Sequence, residues 1–353
     1  MKPEFVMLAH GYKPTKHPIP GWYVSVKLDG QRCIWDGGAS RGVPKNQIPW
    51  ANTAKDERYK DEQICTGLWS RYGNIIHASD WFLDQLPPML LDGELYTRDF
   101  RQELRKVIST IVPDTTAWQR ICFYVIDSPS PKQLFSTRVI DGTQYKKVIR
   151  ESSLKWWLDR LGAVGGARVA ARFCDTYAWL AHNLPFAPNL TLIDQIPLPG
   201  NTIDAKEKVE HLLDLYTDAG EEGIMLRHPT SHWVPYRSYN LLKYKKMDDD
   251  EGTVVGYTTG RETALGSKLR GMMGALILNY GGRRLELSGF TEAERQMSDP
   301  TWCASHPGEE CPVDVSNVHF PRGTVVTFRY RGKSKDGIPQ EARYWRKREE
   351  TTC

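Results

Sequence analysis

The chain has 353 residues, 40% of them hydrophobic and 11% aromatic, which is enough to build the cores of two domains. Its formal net charge of +4 is too small to establish a polyanionic partner. No run of 18 apolar residues and no apolar N-terminal segment occurs, which argues against a membrane span and an export signal. The seven cysteines are scattered and lack the spacing of zinc knuckles, so we expect reduced thiols in a cytoplasmic protein.

Short strand-like runs alternate with amphipathic helices in the first two thirds of the chain. Residues 22–26, 89–91 and 121–126 each have the pattern of a strand bounded by Gly, Pro or Asp. Such short strands separated by turns predict an α+β domain with antiparallel sheets. The segment 48–66 mixes charges with few apolar residues, and we expect it to be a surface insertion.

Two helices stand out. One is predicted over 204–219, with a capping-box pattern at Asp204 and Glu207 and a stop at Gly220. Its apolar face comprises Val209, Leu212, Leu213 and Tyr216. The other, over 154–161, carries two tryptophans that we expect to lie in a core, Trp156 and Trp157.

The pattern changes after Lys246. Residues 248–251 are all acidic and are interpreted as a solvated, flexible link. Strand signals with Gly-rich turns follow over 253–257, 275–280, 284–288 and 324–330, a spacing typical of a small closed β-barrel such as an OB-fold. We therefore predict one domain over 1–246 and a second over 247–353.

The sequence Lys27-Leu28-Asp29-Gly30-Gln31-Arg32 could present a lysine nucleophile beside a phosphate. Taken alone, the hexapeptide fits a solvated lysine before a hairpin turn better than it fits a nucleophile. A free lysine amine has a pKa near 10.4, so attack on phosphorus at neutral pH requires a site that favours its neutral form. Further motifs follow in order: Ser70-Arg71-Tyr72-Gly73-Asn74, Leu91-Asp92-Gly93-Glu94-Leu95, Phe123-Tyr124-Val125-Ile126-Asp127, Glu222-Gly223 and Leu242-Lys243-Tyr244-Lys245.

Together these motifs resemble the covalent nucleotidyltransferase superfamily, and most closely the ATP-dependent DNA ligases of minimal, phage-like type. The resemblance implies an antiparallel-sheet nucleotidyltransferase (adenylation) domain followed by an OB-fold. It implies that Lys27 attacks the α-phosphate of ATP, with Mg²⁺ or another divalent cation, to give a lysine-AMP bond. AMP would pass to the 5′-phosphate of a nick in double-stranded DNA, and the 3′-hydroxyl would displace it. We expect the protein to act as a monomer.

The resemblance also implies roles for individual residues. Arg32 and Arg71, with Ser70, match positions that touch the nucleotide or the nick phosphate. Glu94 matches a residue that contacts the ribose, and Glu222 one that helps bind the metal; Glu94 is a second candidate metal ligand. Lys243 and Lys245 could surround the nucleophile with positive charge and neutralise the α-phosphate. Each could instead be an ordinary exposed charged residue.

Adenine recognition departs from the family pattern. The aromatic residue expected directly before Asp127 is replaced by Ile126, so Tyr124, on the same face of the strand, could supply the stacking ring. Near the C-terminus, Arg343, Arg346 and Arg348 resemble the basic residues that orient pyrophosphate, although the sequence around Gln340 and Glu341 differs. A solvated basic face is the simpler alternative for these arginines.

Other functions fit parts of the pattern. An mRNA capping guanylyltransferase shares the lysine motif and the barrel, and RNA ligases share the first domain. Only 26 residues precede Lys27, which argues against the extra domain of an NAD-dependent ligase. A catalytically idle module that binds nucleic-acid ends is a further alternative, although Lys27, Glu94, Glu222, Lys243 and Lys245 are all present.

Overall fold

A computed structural model describes residues 6–51, 63–99, 103–135, 139–140, 143–144, 151–161, 171–262, 268–334 and 336–347. It divides into two compact units, Met1–Lys245 and Lys246–Cys353. Across these ranges, no helix is both long enough and apolar enough to cross a membrane. The six cysteines it describes are free thiols.

Unit 1 contains twelve strands and seven helices among its described residues. The strands are β1 (Leu8–Gly11), β2 (Tyr23–Lys27), β3 (Gln31–Asp36), β4 (Leu68–Ser70), β5 (Leu90–Tyr96), β6 (Cys122–Asp127), β7 (Val139–Ile140), β8 (Thr143–Gln144), β9 (Leu190–Leu192), β10 (Ile196–Pro197), β11 (Gly223–Arg227) and β12 (Arg237–Tyr244). The helices are α1 (Asp80–Leu83), α2 (Leu104–Ser109), α3 (Thr115–Trp118), α4 (Pro131–Phe135), α5 (Glu151–Leu161), α6 (Phe173–Asn183) and α7 (Thr202–Asp218).

Two five-stranded sheets form the body of unit 1. Their strand orders are β1-β12-β11-β2-β10 and β4-β3-β5-β6-β9, and β7 pairs with β8 separately. Most pairs are antiparallel, as predicted, but β1 with β12 and β6 with β9 are parallel. Each parallel pair joins segments far apart in sequence, where no short turn fixes the strand direction. The residue pattern along a single strand therefore could not reveal that these two pairs are parallel.

The helix α7 begins two residues earlier than predicted. Asn201 is its N-cap, and its side chain accepts a hydrogen bond from the backbone N–H of Asp204 at 2.9 Å. The capping box at Asp204 and Glu207 is therefore wrong, because Asp204 already lies in the first turn. The buried side of α7 consists of Ala205, Val209, Leu212 and Leu213, which pack with the apolar side chains of the first sheet.

Two further predictions about unit 1 have different outcomes. Trp157, in α5, is fully buried and donates to the Asp36 carbonyl oxygen at 2.7 Å, as expected of a core residue. The surface insertion predicted over 48–66 is wrong at its ends, because Ile48, Trp50 and Cys65 are buried in a core. Residues 52–62 lie outside the described part of the chain.

Unit 2 contains one five-stranded antiparallel sheet with the order β15-β14-β13-β16-β17. Its elements are β13 (Asp248–Thr259), β14 (Met273–Tyr280), β15 (Arg283–Leu287), α8 (Pro300–Ser305), β16 (Val325–Tyr330) and β17 (Arg343–Lys347). The barrel is not closed by a continuous ladder among the described residues. Its two edges meet at one parallel bridge, between Ser288 and Arg343.

The acidic run 248–251 is not a flexible link. It forms the first third of β13 and pairs in register with β16, from Asp248 opposite Tyr330 to Glu251 opposite Thr327. The Asp250 carboxylate accepts a hydrogen bond from the Tyr280 hydroxyl at 2.6 Å and lies 3.4 Å from the Lys333 ammonium. Cross-strand partners therefore stabilise a segment whose charge density alone argued against a strand.

Candidate active site

Lys27 is the last residue of β2 and lies opposite Gly223 in the pairing of β2 with β11. One oxygen of the Glu222 carboxylate contacts the Lys27 Nζ, and the other contacts the Lys245 Nζ. The exposed fractions of these three side chains are 21% for Lys27, 24% for Glu222 and 10% for Lys245. The half-buried Glu222 carboxylate thus links the ammonium groups of Lys27 and Lys245. The sequence predicts that these two lysines are neighbours, but it does not predict that Glu222 lies between them.

The backbone on either side of this cluster is closely packed. Gly223 has a φ of +144°, and a Cβ there would lie 2.3 Å from the Tyr244 carbonyl oxygen. Gly30, in the turn after Lys27, would place a Cβ 2.3 Å from the Leu95 carbonyl oxygen. Only glycine fits at either position without moving a neighbouring strand.

Arg32 faces two acidic residues of β5. It lies opposite Glu94 in the β3–β5 pair, and its Nε and terminal nitrogen donate to the two Asp92 oxygens at 2.6 and 2.7 Å. Trp233 also donates to Asp92, at 2.6 Å. Burial disfavours the Arg32 cation, but the facing Asp92 carboxylate outweighs it and raises the Arg32 pKa. Arg32 is therefore held at the site by a two-point ion pair.

The carboxyl group of Glu94 lies near the cations of Lys27 and Arg32 and near the Asp92 carboxylate. Burial raises its pKa, while nearby Lys27 and Arg32 act in the opposite direction. Its neighbour two residues later, Tyr96, donates to Glu221, which precedes Glu222 in the chain. Strand β5 and the turn before β11 are thus joined beside the lysine cluster.

A second buried ion pair lies deeper. Arg227 and Asp127 approach to 3.3 Å, and the Arg227 guanidinium lies 4.9 Å from the centre of the Phe173 ring. Burial raises the Asp127 pKa to about 6 and lowers that of Arg227. Sequence reasoning did not select Arg227, Phe173 or Trp233 as site residues. The one available signal was Arg227 at the end of the strand that follows Glu222.

These groups surround a cavity of about 610 Å³ within unit 1, a size typical of small-molecule sites. Seven of the predicted site residues line it, namely Lys27, Arg32, Ser70, Arg71, Glu94, Ile126 and Lys243. The residues described as lining it do not include Glu222, Lys245 or Tyr124. Tyr124 instead packs against Tyr96, with ring centres 5.7 Å apart.

The turn after β4 places a cation at the cavity. The Ser70 hydroxyl oxygen accepts the backbone N–H of Asn74 at 3.1 Å, which supports the turn. The Arg71 guanidinium lies 4.5 Å from the centre of the Tyr72 ring and contacts the Tyr72 hydroxyl. The Ser70 hydroxyl is therefore used in stabilising the turn, whereas the Arg71 side chain is held against the Tyr72 ring at the cavity.

The predicted C-terminal arginines belong to unit 2. Arg343 and Arg346 lie on β17 and are exposed, and the Arg346 guanidinium is 4.6 Å from the centre of the Trp345 ring. Arg348 lies outside the described residues. The roles of these arginines stay predictions.

The candidate ligands for a divalent metal among the described residues are two glutamates. No group of three or more His, Cys, Asp or Glu side chains in the described ranges could hold an ion. Glu94 and Glu222 are single carboxylates, and Glu222 already contacts two lysines. Mg²⁺ commonly binds proteins through one or two carboxylates, with further ligands from the oxygens of a bound phosphate. Glu94 and Glu222 could serve as the carboxylates in a site of that kind.

Comparisons with known proteins agree with the fold. A family model for the DNA ligase OB-like domain matches residues 266–348. A DNA ligase of Haemophilus influenzae is 24% identical over 345 residues, 97% of this chain and 92% of the relative. A solved structure from a study of Lig E DNA ligases, described as binding DNA with a minimal scaffold, has a TM-score of 0.61 and 24% identity, covering 97% and 98% of the two chains. The structure Pmar-Lig_PreS3 has a TM-score of 0.60 and 17% identity over 97% of this chain and 67% of its own. The resemblance and fold class predicted from the sequence are confirmed.

Proposed function

We infer that this chain, a member of the DNA ligase family, is an ATP-dependent DNA ligase that seals nicks between a 5′-phosphate and a 3′-hydroxyl. The observation that carries the inference is the position of Lys27. It lines a cavity of nucleotide size together with Arg32, Glu94 and Lys243, while Glu222 contacts its Nζ. A lysine so placed, with cations for phosphate oxygens around it, suits covalent nucleotide transfer.

In the first step, the Lys27 amine attacks the α-phosphorus of ATP. The new N–P bond forms as the bond between the α-phosphorus and the bridging oxygen breaks, and pyrophosphate leaves. Lys27 must shed its proton first, and Glu222 is the carboxylate in contact with that amine. Lys243, which lines the same cavity, would offset negative charge on the α-phosphate.

In the second and third steps, AMP is passed on and then released. The 5′-phosphate of the nick attacks the adenylate phosphorus and displaces the Lys27 amine. The 3′-hydroxyl then attacks the activated 5′-phosphate and displaces AMP. Arg71, at the cavity, suits a phosphate oxygen in these steps, and Glu94 suits a ribose hydroxyl.

Mg²⁺ would supply positive charge at the phosphate oxygens, with Glu94 or Glu222 completing its shell. Arg343 and Arg346 would meet pyrophosphate or the duplex backbone from unit 2. The adenine contact is better assigned to Ile126, which lines the cavity, than to Tyr124. A monomer acting on nicked duplex DNA in the cytoplasm completes the proposal.

The experiment is covalent labelling. Protein freed of bound AMP is incubated with Mg²⁺ and either α-labelled ATP or α-labelled GTP, then separated under denaturing conditions. We expect an adduct with ATP alone, absent from Lys27→Ala and from Lys27→Arg, and sealing of a nicked duplex that stops when the metal is chelated. An adduct with GTP alone would indicate a guanylyltransferase instead. No adduct at all would overturn the enzyme proposal.

A further inference from the structure

A stacked pair of aromatic rings, one exposed and one partly buried, lies at the edge of the first sheet. The His10 and Tyr239 rings are stacked, with centres 3.7 Å apart and planes within 5°. Tyr239 is 62% exposed, which is unusual for a tyrosine within a strand. The pair therefore has a defined geometry without being part of a core.

An irregularity in strand pairing produces this exposure. The β1–β12 register passes from Ala9 opposite Ser238 directly to His10 opposite Leu242, so three residues of β12 have no partner on β1. Tyr239 is the first of these three residues, and its ring stacks on that of His10. Such bulges commonly re-aim a side chain next to an active site.

The pair lies at the margin of the nucleotide cavity. Ala9, the neighbour of His10, lines that cavity, and so do Arg237 and Leu241 on either side of Tyr239. The two rings are therefore neighbours, along β1 and β12, of residues that line the cavity.

The surrounding chain is cationic. Residues 5–28 and 223–247 contain no aspartate or glutamate, and they supply β1, β2, β11 and β12. Their lysines and arginines are Lys13, Lys16, Lys27, Arg227, Arg237, Lys243, Lys245 and Lys246. Acidic residues from outside contact these segments: Glu222 bridges two of the lysines, and Glu210 accepts from the Tyr244 hydroxyl at 3.0 Å. Asp127 pairs with Arg227, and Asp92 accepts from Trp233, so the charges that remain exposed toward solvent are mainly those of the lysines.

Neighbouring groups around the rings agree with a positive field. Partial burial, followed by the nearby Arg237 guanidinium and the neighbouring His17 ring, lowers the His10 pKa. The His17 ring is 5.6 Å from that of Tyr239, and its Nδ1 accepts the backbone N–H of Lys13 at 2.9 Å. Exposed aromatic rings set among cations are the usual means by which proteins hold nucleotides without reading sequence.

We propose that Tyr239, supported by His10, is a stacking site for the terminal nucleotide at a DNA nick. This inference rests on the proposed ligase function and adds a contact that the chemistry itself does not require. The Tyr239 ring stacks on the sugar or base that the strand end exposes, while Lys13 and Lys16 meet backbone phosphates nearby. An intact duplex has no such exposed end and gains only the phosphate contacts.

The test measures binding by protein already converted to its lysine-AMP form, so the first step cannot limit the result. Nicked and intact duplexes of one sequence are compared at one salt concentration. We expect Tyr239→Ala to weaken binding to the nicked duplex about tenfold and to the intact duplex much less. Tyr239→Phe should bind the nick as the wild type does, since the ring is retained.

Phe186→Ala is the matched control, because Phe186 is a fully exposed aromatic residue that does not line the cavity. Equal binding by Tyr239→Ala and Phe186→Ala, or equal losses on nicked and intact duplexes, would overturn the stacking site. Lys13→Ala should instead weaken both duplexes alike and reduce the salt dependence. If wild-type protein forms no adduct, the ligase proposal fails by itself, before this comparison is made.

Discussion

Glu222 is joined to Lys27 through both backbone and side chain. Its N–H donates to the Lys27 carbonyl oxygen at 3.2 Å, and its carboxylate contacts the Lys27 Nζ. The position of Lys27, the proposed nucleophile, therefore depends on Glu222 as well as on its own strand.

The first prediction concerns Glu222→Gln. The variant leaves Lys27 and Lys245 without the negative charge that links them, so two ammonium groups repel each other. We expect unfolding free energy to fall by about 1–3 kcal/mol and adduct formation with ATP to slow at least tenfold. Urea unfolding and labelling kinetics would check both. Asp159→Asn, which removes an exposed ion pair with Lys155, should change stability by less than about 0.5 kcal/mol. Equal losses in the two variants would contradict this account.

A second prediction uses the Arg32–Asp92 pair. Arg32→Lys keeps the charge but cannot make both hydrogen bonds to a fully buried carboxylate. We expect a loss of about 2–4 kcal/mol in unfolding free energy. Arg41→Lys is the comparison, because Arg41 binds the exposed carboxylates of Asp80 and Asp84, and it should lose less than about 1 kcal/mol. Chemical denaturation decides, and an Arg32→Lys protein as stable as Arg41→Lys would refute the prediction.

The third prediction is a pH dependence of stability at Asp36. Burial raises the Asp36 pKa to about 6, despite hydrogen bonds from Ser40 and Trp69, whereas an unfolded aspartate has a pKa near 3.9. Because the folded protein binds this proton more tightly than the unfolded chain does, protonated Asp36 adds to the free energy of unfolding. This stabilisation is fully present below about pH 4 and is lost as the pH rises through about 6, a change of about 3 kcal/mol in the free energy of unfolding.

Unfolding free energies of the wild type and Asp36→Asn, measured from about pH 4 to 7.5, isolate this contribution. The wild type should lose stability relative to the variant as the pH rises. Asp127, whose pKa is also raised to about 6, is present in both proteins and cancels in the difference. A pH-independent difference would show that Asp36 does not titrate in this range.

The fourth prediction concerns the glycine beside Glu222. Gly223→Ala would place a Cβ against the Tyr244 carbonyl oxygen at a φ that favours glycine. We expect loss of about 3 kcal/mol or more in stability and loss of adduct formation, because β11 must move away from β12. Gly200→Ala meets no atom within 4 Å and should fold normally. Thermal unfolding and then adduct labelling would be measured on both variants. Normal labelling of the Gly223→Ala protein would contradict the close approach of Gly223 to the Tyr244 carbonyl oxygen.

The sequence predicted those features that depend on neighbouring residues. The strand that ends at Lys27 and the long helix α7 follow from local patterns of apolar residues. The start of β13 did not, because its carboxylates are satisfied by Tyr280 and Lys333, which come later in the chain. A local charge count had no access to those partners.

The same division holds at the site. Motif order selected Lys27, Arg32, Glu94 and Lys243, which meet at one cavity. It did not reveal that Asp92 binds Arg32, that Arg227 pairs with Asp127, or that Tyr124 packs against Tyr96. Those relationships are set by strand register and side-chain direction, which become definite only after the sheets assemble.

The bridge between Lys27 and Glu222 spans 195 residues of sequence. Local collapse around Lys27 cannot create it, because β11 must first dock beside β2 and close that long loop. A nascent chain that has emerged only through its second sheet carries the lysine without its counterion. The contact between Glu222 and Lys27 therefore forms only after Glu222 has been synthesised and β11 has paired with β2.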